Sequence, residues 1–361
     1  MQVNSLIYNY KKSLKIDFKP NLAFLFFEGD KKEVILDCYK QLLLINPNME
    51  VIGINGKSGN ITNHIPFITN KEQISILAFK IDDFFVDIFN TTNIEELKAQ
   101  FIKDYNYYKN TASIIFFPFE QDTNHFLDFI QNEEYMHTIY GGVYSKSDSI
   151  GCFYNGGFYE NSMIGVFFNQ EKVEFFSLAI HGWKPIGIPF KVTKADKNIL
   201  YELNNEPALK VIEEYIGEIK QENIDNFLHP FCVKHKEDKS LASLKYIDRE
   251  NNSIHFFKYI YEDEEVLITI PINQKNMMKL IEEKLQGIKC DALFMFSCIG
   301  RYAYYKDLVE FEIEKVNEVL NVPFAGFLTY GEIGSNTIKT KSILQNQTMD
   351  LIFLRKKGEN I

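Results

Sequence analysis

A unit of apolar strand, helix, second strand, glycine-rich segment and closing strand recurs along this chain, and such a repeat constrains the fold more than any single motif. The first copy opens with the continuous apolar run 22–27 (LAFLFF), which reads as a buried strand. Val34, Cys38 and Leu42 follow at helical spacing, and Asn46-Pro47-Asn48 stops the helix. A strand over 51–54 leads into the glycine turn Asn55-Gly56-Lys57-Ser58-Gly59, and 74–79 closes the unit. The second copy starts at 113–119 (SIIFFPF). It continues in a helix over 124–131, with Phe126, Leu127 and Ile130 on one face, and reaches the turn Ile139-Tyr140-Gly141-Gly142. A hairpin of 151–154 with 158–168 is predicted around Asn155-Gly156. The third copy starts at 292–297 (ALFMFS), has Val309, Ile313, Val316 and Leu320 at helical spacing, and runs through 324–329 into Tyr330-Gly331-Glu332-Ile333-Gly334, with 348–354 as its last strand. A hairpin of 253–261 with 265–270 and a helix over 276–285 precede it.

This alternation predicts an α/β (α+β) protein of mixed β-sheets covered by helices. It also sets a glycine turn at the end of each buried strand, where backbone amides come close to whatever lies beyond the sheet edge. Residues 182–190, with two prolines, two glycines and the only tryptophan, read as a non-regular connection between two domains, 1–200 and 201–361. A helix over 206–216, with Pro207 in its first turn and Gly217 at its end, follows.

The 361 residues carry a formal net charge of −10, which repels phosphate backbones and argues against nucleic-acid binding. No apolar run is long enough to span a membrane, and the N-terminus does not read as a signal peptide. The five cysteines are scattered, without a C-x-x-C pair, as expected of reduced thiols in a cytoplasm.

Several segments, in order, resemble the FIST family. Phe296-Ser297-Cys298-Ile299-Gly300-Arg301, then 323–333 (PFAGFLTYGEI), then Gln345-Asn346-Gln347-Thr348 are similar to the FIST C-terminal domain. Gly182-Trp183-Lys184-Pro185-Ile186-Gly187, 192–195, 202–203, 207–209, Tyr140-Gly141-Gly142 and Asn155-Gly156 look like the FIST N-terminal domain. One departure stands out. The first glycine turn lacks the acidic residue of the family pattern, which the third copy keeps as Glu332. The resemblance implies a sensory, small-ligand-binding module in signal transduction, with an amino-acid-like ligand. It implies no enzyme activity, and an output through a partner such as a histidine kinase, a diguanylate cyclase or a chemoreceptor. Some bacterial relatives are haem-binding nitric oxide sensors, which makes haem a possible cofactor.

The candidate residues follow. Arg301 can hold a ligand carboxylate with two parallel hydrogen bonds, or form a structural ion pair, for instance with Glu332. Together Arg301 and Glu332 would clamp an amino acid. Tyr330 and Gly331 belong to the same turn, and the amides of Asn346 and Gln347 either bind ligand or cap a turn. Trp183 walls a pocket or anchors a domain interface. His181 and His229 are the histidines to test for haem. His229, Cys232 and His235 converge poorly on a strand, so no metal site is expected. Cys298 is a core residue or the nucleophile of a thiol-dependent enzyme.

Overall fold

The apolar runs of the three units form the middles of three six-stranded sheets in the computed structural model, which describes residues 1–56, 60–90, 93–130, 138–144, 150–219, 229–235, 238–335 and 341–358. The central strands Leu22–Phe27, Thr111–Pro118 and Ala292–Cys298 are buried throughout. Each pairs in parallel with the strand after its helix, Glu50–Asn55, Ile139–Tyr144 or Phe324–Thr329. Each also pairs antiparallel with its closing strand, Gln73–Lys80, Met163–Asn169 or Met349–Lys356. Outer strands Gln2–Asn9, Phe84–Phe89 and Val173–Ile180 then flank the closing strands.

The two remaining strands of each sheet come from another unit. The first unit's strands Asn60–Thr62 and Phe67–Ile68 complete the third sheet, and the second unit's hairpin Cys152–Tyr154 and Gly157–Tyr159 completes the first. The third unit's hairpin Glu332–Gly334 and Ile343–Gln345 completes the second. This cyclic exchange gives the molecule a pseudo-threefold axis. The inner faces of all three sheets share one core. Phe26, Phe116 and Phe296 occupy equivalent register positions there, with ring centres 6.4, 6.4 and 5.6 Å apart. Such edge-on contacts add about 0.5–1.5 kcal/mol each beyond burial. Helices cover the outer faces. Lys32–Ile45 packs on the first sheet, Ile94–Tyr105 and Thr123–Phe129 on the second, and Gln274–Leu285 and Asp307–Leu320 on the third.

Mixed sheets covered by helices are therefore as expected, but several elements differ in detail. Ile139–Tyr144 is a strand and not a turn. Its Gly141 lies so close to the Ile115 carbonyl that any Cβ would overlap it, so the glycine serves strand packing. Residues 158–168 divide between the hairpin strand Gly157–Tyr159 and Met163–Asn169, which enters a different sheet. The helix over 124–131 is Thr123–Phe129, and residue 131 lies outside the described residues, as do 57–59 of the first glycine turn. The segment read as a connection, 182–190, opens the 14-residue strand Trp183–Asp196, which a bulge between Ile186 and Phe190 lets its prolines join. That strand belongs to an eight-stranded sheet with its own core under helix Ala208–Ile216, inserted between the third unit's outer strand and its first helix. Ser253–Phe256 pairs there with Leu244–Asp248 and Ile199–Leu203, so it forms no hairpin with Glu265–Pro271. Residues 200 and 201 both lie within Ile199–Leu203. Among the described residues no helix is long and apolar enough to cross a membrane.

Candidate functional site

The carboxyl ends of the third unit's strands gather buried polar side chains where the repeat elsewhere sets mostly apolar ones. Residues one before the hairpin partner of each unit's strand glycine are equivalent by register: Asn60, Cys152 and Glu332. The acid missing from the first glycine turn is thus replaced in space by Asn60. Likewise Ser75, Ile164 and Asp350 sit opposite Phe26, Phe116 and Phe296. Only the third unit carries acids at both positions.

Glu332 is fully buried. It accepts hydrogen bonds from the Thr329 hydroxyl, from the Thr348 hydroxyl at 2.7 Å and from the Thr348 N–H at 3.4 Å. Burial pushes its carboxyl up to about 8, against the pull of those donors and of the Arg301 charge. Asp350 is also fully buried, and neither of its carboxylate oxygens has a hydrogen-bond partner among the described residues. Burial first, and then the nearby Glu332, hold it well above the usual carboxylate range. Gly334 makes room for it, since a Cβ there would overlap the Asp350 carboxylate. Gln345 lies directly across the hairpin from Glu332, which puts both side chains on one face. It too is fully buried, with neither amide atom partnered among the described residues.

The proposed Arg301–Glu332 pair is not formed. Arg301, fully buried on helix Ile299–Tyr305, makes an ion pair with buried Glu312 of the next helix and donates to the Gln347 carbonyl at 3.4 Å. Its Nε has no partner among the described residues. Asn346 donates to the Gln345 carbonyl at 3.0 Å and accepts from the Ser243 N–H at 3.3 Å, so it ties the third unit to the inserted sheet. Gln347 has left-handed backbone, φ 57°, and its side chain lies on Gly300, while its Oε1 is unpartnered among the described residues. Burial pushes the Cys298 thiol up to about 12, which leaves almost no thiolate for nucleophilic chemistry at neutral pH.

Trp183 is buried against Tyr304 and Tyr305, with ring centres 4.9 and 5.7 Å away, in the third unit's outer core. Both candidate haem histidines adjoin it. His181 accepts the Trp183 backbone N–H on Nδ1 at 3.3 Å, and burial followed by the Arg301 charge lowers its ring to about 4, so it is neutral. His229 lies 5.2 Å from both Trp183 and Tyr304. A haem needs a flat apolar slot beside its axial ligand. Here a Cβ on Gly182 would already stand 2.8 Å from the Tyr305 hydroxyl, which donates to the Gly182 carbonyl at 2.9 Å. These residues fit a close aromatic cluster and not a porphyrin.

Tyr330 and Gly331 lead out of the acidic cluster. The Gly331 carbonyl accepts from the Val143 N–H at 2.8 Å, which joins the second and third units. Tyr330 lines a cleft of about 270 Å³.

Three exchanged sheets thus enclose a polar interior that is partly unsatisfied among the described residues. The chain belongs to the FIST family: the FIST N domain matches residues 21–206 and the FIST C domain residues 208–335. This family is associated with sensory signal transduction. The chain is also similar to an uncharacterized protein of Methanocaldococcus jannaschii, 24% identical over 240 residues, which covers 60% of this chain and 46% of that protein. The chain thus spans about half the length of that curated relative.

Proposed function

We propose that this protein is a small-ligand sensor whose ligand carries a primary ammonium, as an amino acid does, held by Asp350 and Glu332. One observation carries the reading: among the described residues, Asp350 and Gln345 are buried without hydrogen-bond partners for their side chains, beside Glu332. Each unsatisfied buried polar group costs about 1–3 kcal/mol, so this arrangement is stabilised by whatever supplies the missing bonds. An ammonium offers three N–H donors, enough for Asp350, Glu332 and the side-chain Oε1 of Gln345. The amide N–H groups of Gln345 then face an acceptor on the ligand, such as its carboxylate, which a bare cation could not provide. Arg301 acts from behind: with Glu312 it fixes the Gln347 carbonyl instead of gripping the ligand. The output passes through a partner protein, for which a histidine kinase, a diguanylate cyclase or a chemoreceptor are the expected classes.

The test is calorimetry and thermal shift with a panel of amino acids at pH 8, on the wild type, Asp350→Asn and Glu332→Gln. A ligand at a hundred times its Kd should stabilise the wild type by about 2.7 kcal/mol, and Asp350→Asn should lose that gain while remaining folded. Absence of any shift from the whole panel, or an unchanged shift in Asp350→Asn, refutes the assignment.

A further inference from the structure

Two residues before Glu332 the chain faces a different environment. Tyr330, with Leu344 across the hairpin, forms one wall of the 270 Å³ cleft at the carboxyl ends of Thr111–Pro118 and Ile139–Tyr144. Ligands of α/β sheets gather at such strand ends. The facing wall comes from the inserted sheet, at Asn198, Lys245, Phe256, Phe257 and Tyr259. The two walls are bolted together. Asn124 donates to the Phe257 carbonyl at 3.1 Å and accepts from the Tyr259 N–H at 3.3 Å, and the Tyr259 hydroxyl donates to Asp122 at 2.6 Å.

The chemistry of these walls is specific. Tyr330 stands edge-on to Phe119 at 4.7 Å, and the exposed Phe257 belongs to the other wall, so the cleft has an aromatic side chain in each wall. Of the two acids lining the cleft, Glu120 is exposed to solvent and Asp122 is spent, since its Oδ1 accepts the His125 N–H at 3.0 Å and its Oδ2 the Tyr259 hydroxyl. Lys245 is the one cation lining the cleft among the described residues, and it has no carboxylate partner there; its Nζ lies 5.8 Å from the Phe257 ring centre. An ammonium above an aromatic wall, with no acid of its own, matches an anion attached to a ring.

We propose that this cleft is a second ligand site, for a small aromatic carboxylate whose ring lies between the Tyr330–Phe119 and Phe257 walls and whose carboxylate meets Lys245. Its small volume limits the occupant to one or two rings. The site shares no side chain with the acidic cluster and does not depend on the ammonium reading. It bridges helix Thr123–Phe129 and the inserted sheet, so its occupant strengthens the seam that Asn124 and Tyr259 make.

Saturation-transfer NMR and calorimetry on the full chain test this, with benzoate, 4-hydroxyphenylacetate and indole-3-acetate as probes and benzyl alcohol as the uncharged control. At least one acid should bind at about millimolar Kd or tighter, with benzyl alcohol at least about tenfold weaker. Lys245→Gln, an exposed and structurally neutral change, should weaken the acid about tenfold and bring it level with the alcohol. Phe257→Ala should weaken both, whereas Asp350→Asn should leave both unchanged. No binding by any probe acid to the wild type, equal binding of acid and alcohol, or binding indifferent to both Lys245→Gln and Phe257→Ala overturns the assignment.

Discussion

Arg301 and Glu312 form an ion pair with almost no contact with water. Leaving either partner alone would strand a buried charge, so Arg301→Met or Glu312→Gln should each cost about 3–5 kcal/mol in urea unfolding, while the double variant Arg301→Met/Glu312→Leu should recover most of that loss. The acids of the cluster make a second prediction. Glu332 rises from 4.5 to about 8 on folding, and Asp350 also rises. Between these values the unfolded chain binds fewer protons than the native one, so stability of the ligand-free protein should fall as pH rises from about 5 to 8. Asp350→Asn should flatten this slope and be the more stable protein at pH 8, as read from denaturation midpoints. Asp350 was missed from the sequence, although a signal was there: it is the single acid in the strand MDLIFLRK, set in an apolar run. Glu332 was named from its motif. The partner of Arg301 was not legible, because Glu312 is reached across a break between two helices at Lys306, whose φ is 48°, and spacing alone does not show that bend.

At the scale of elements, three glycines share one register position. Gly53, Gly141 and Gly326 lie opposite Leu25, Ile115 and Met295 of the central strands. A Cβ on Gly141 or Gly326 would run into the opposing carbonyl, whereas at Gly53 the nearest atoms are side chains of Phe153 and Phe27 at 2.9 Å. A 2.9 Å approach is relieved by a smaller shift than a 1.7 Å overlap with a sheet carbonyl. Gly141→Ala and Gly326→Ala should therefore destabilise by about 2–4 kcal/mol in chemical denaturation, and Gly53→Ala by about half as much. The apolar runs and helical spacings were enough to find the central strands and most of the helices. Glycine misled at 139–142, because the habit of reading it as a turn ignores its use where two strands approach closely. The prolines at 185 and 189 misled in the same way, since a bulge lets them into a strand.

For the whole molecule, the exchange of hairpins decides what can fold alone. Residues 1–206 contain the second sheet's four main strands but lack Glu332–Gly334 and Ile343–Gln345. They also lack every main strand of the third sheet except the outer Val173–Ile180. A fragment of residues 1–206 should show no single cooperative unfolding transition by circular dichroism, and adding residues 207–361 in trans should restore one. None of this was visible along the chain, because a repeat shows its units one after another and says nothing of which neighbour receives each hairpin. The same exchange has a consequence in time. As the chain leaves the ribosome, its first sheet can close once residue 159 has emerged, but the second must wait, edge bare, until residue 345 is made. For that interval the nascent protein carries an unpaired strand edge beside a core that still lacks much of its third face, so synthesis that stalls between those points would leave a species prone to aggregate.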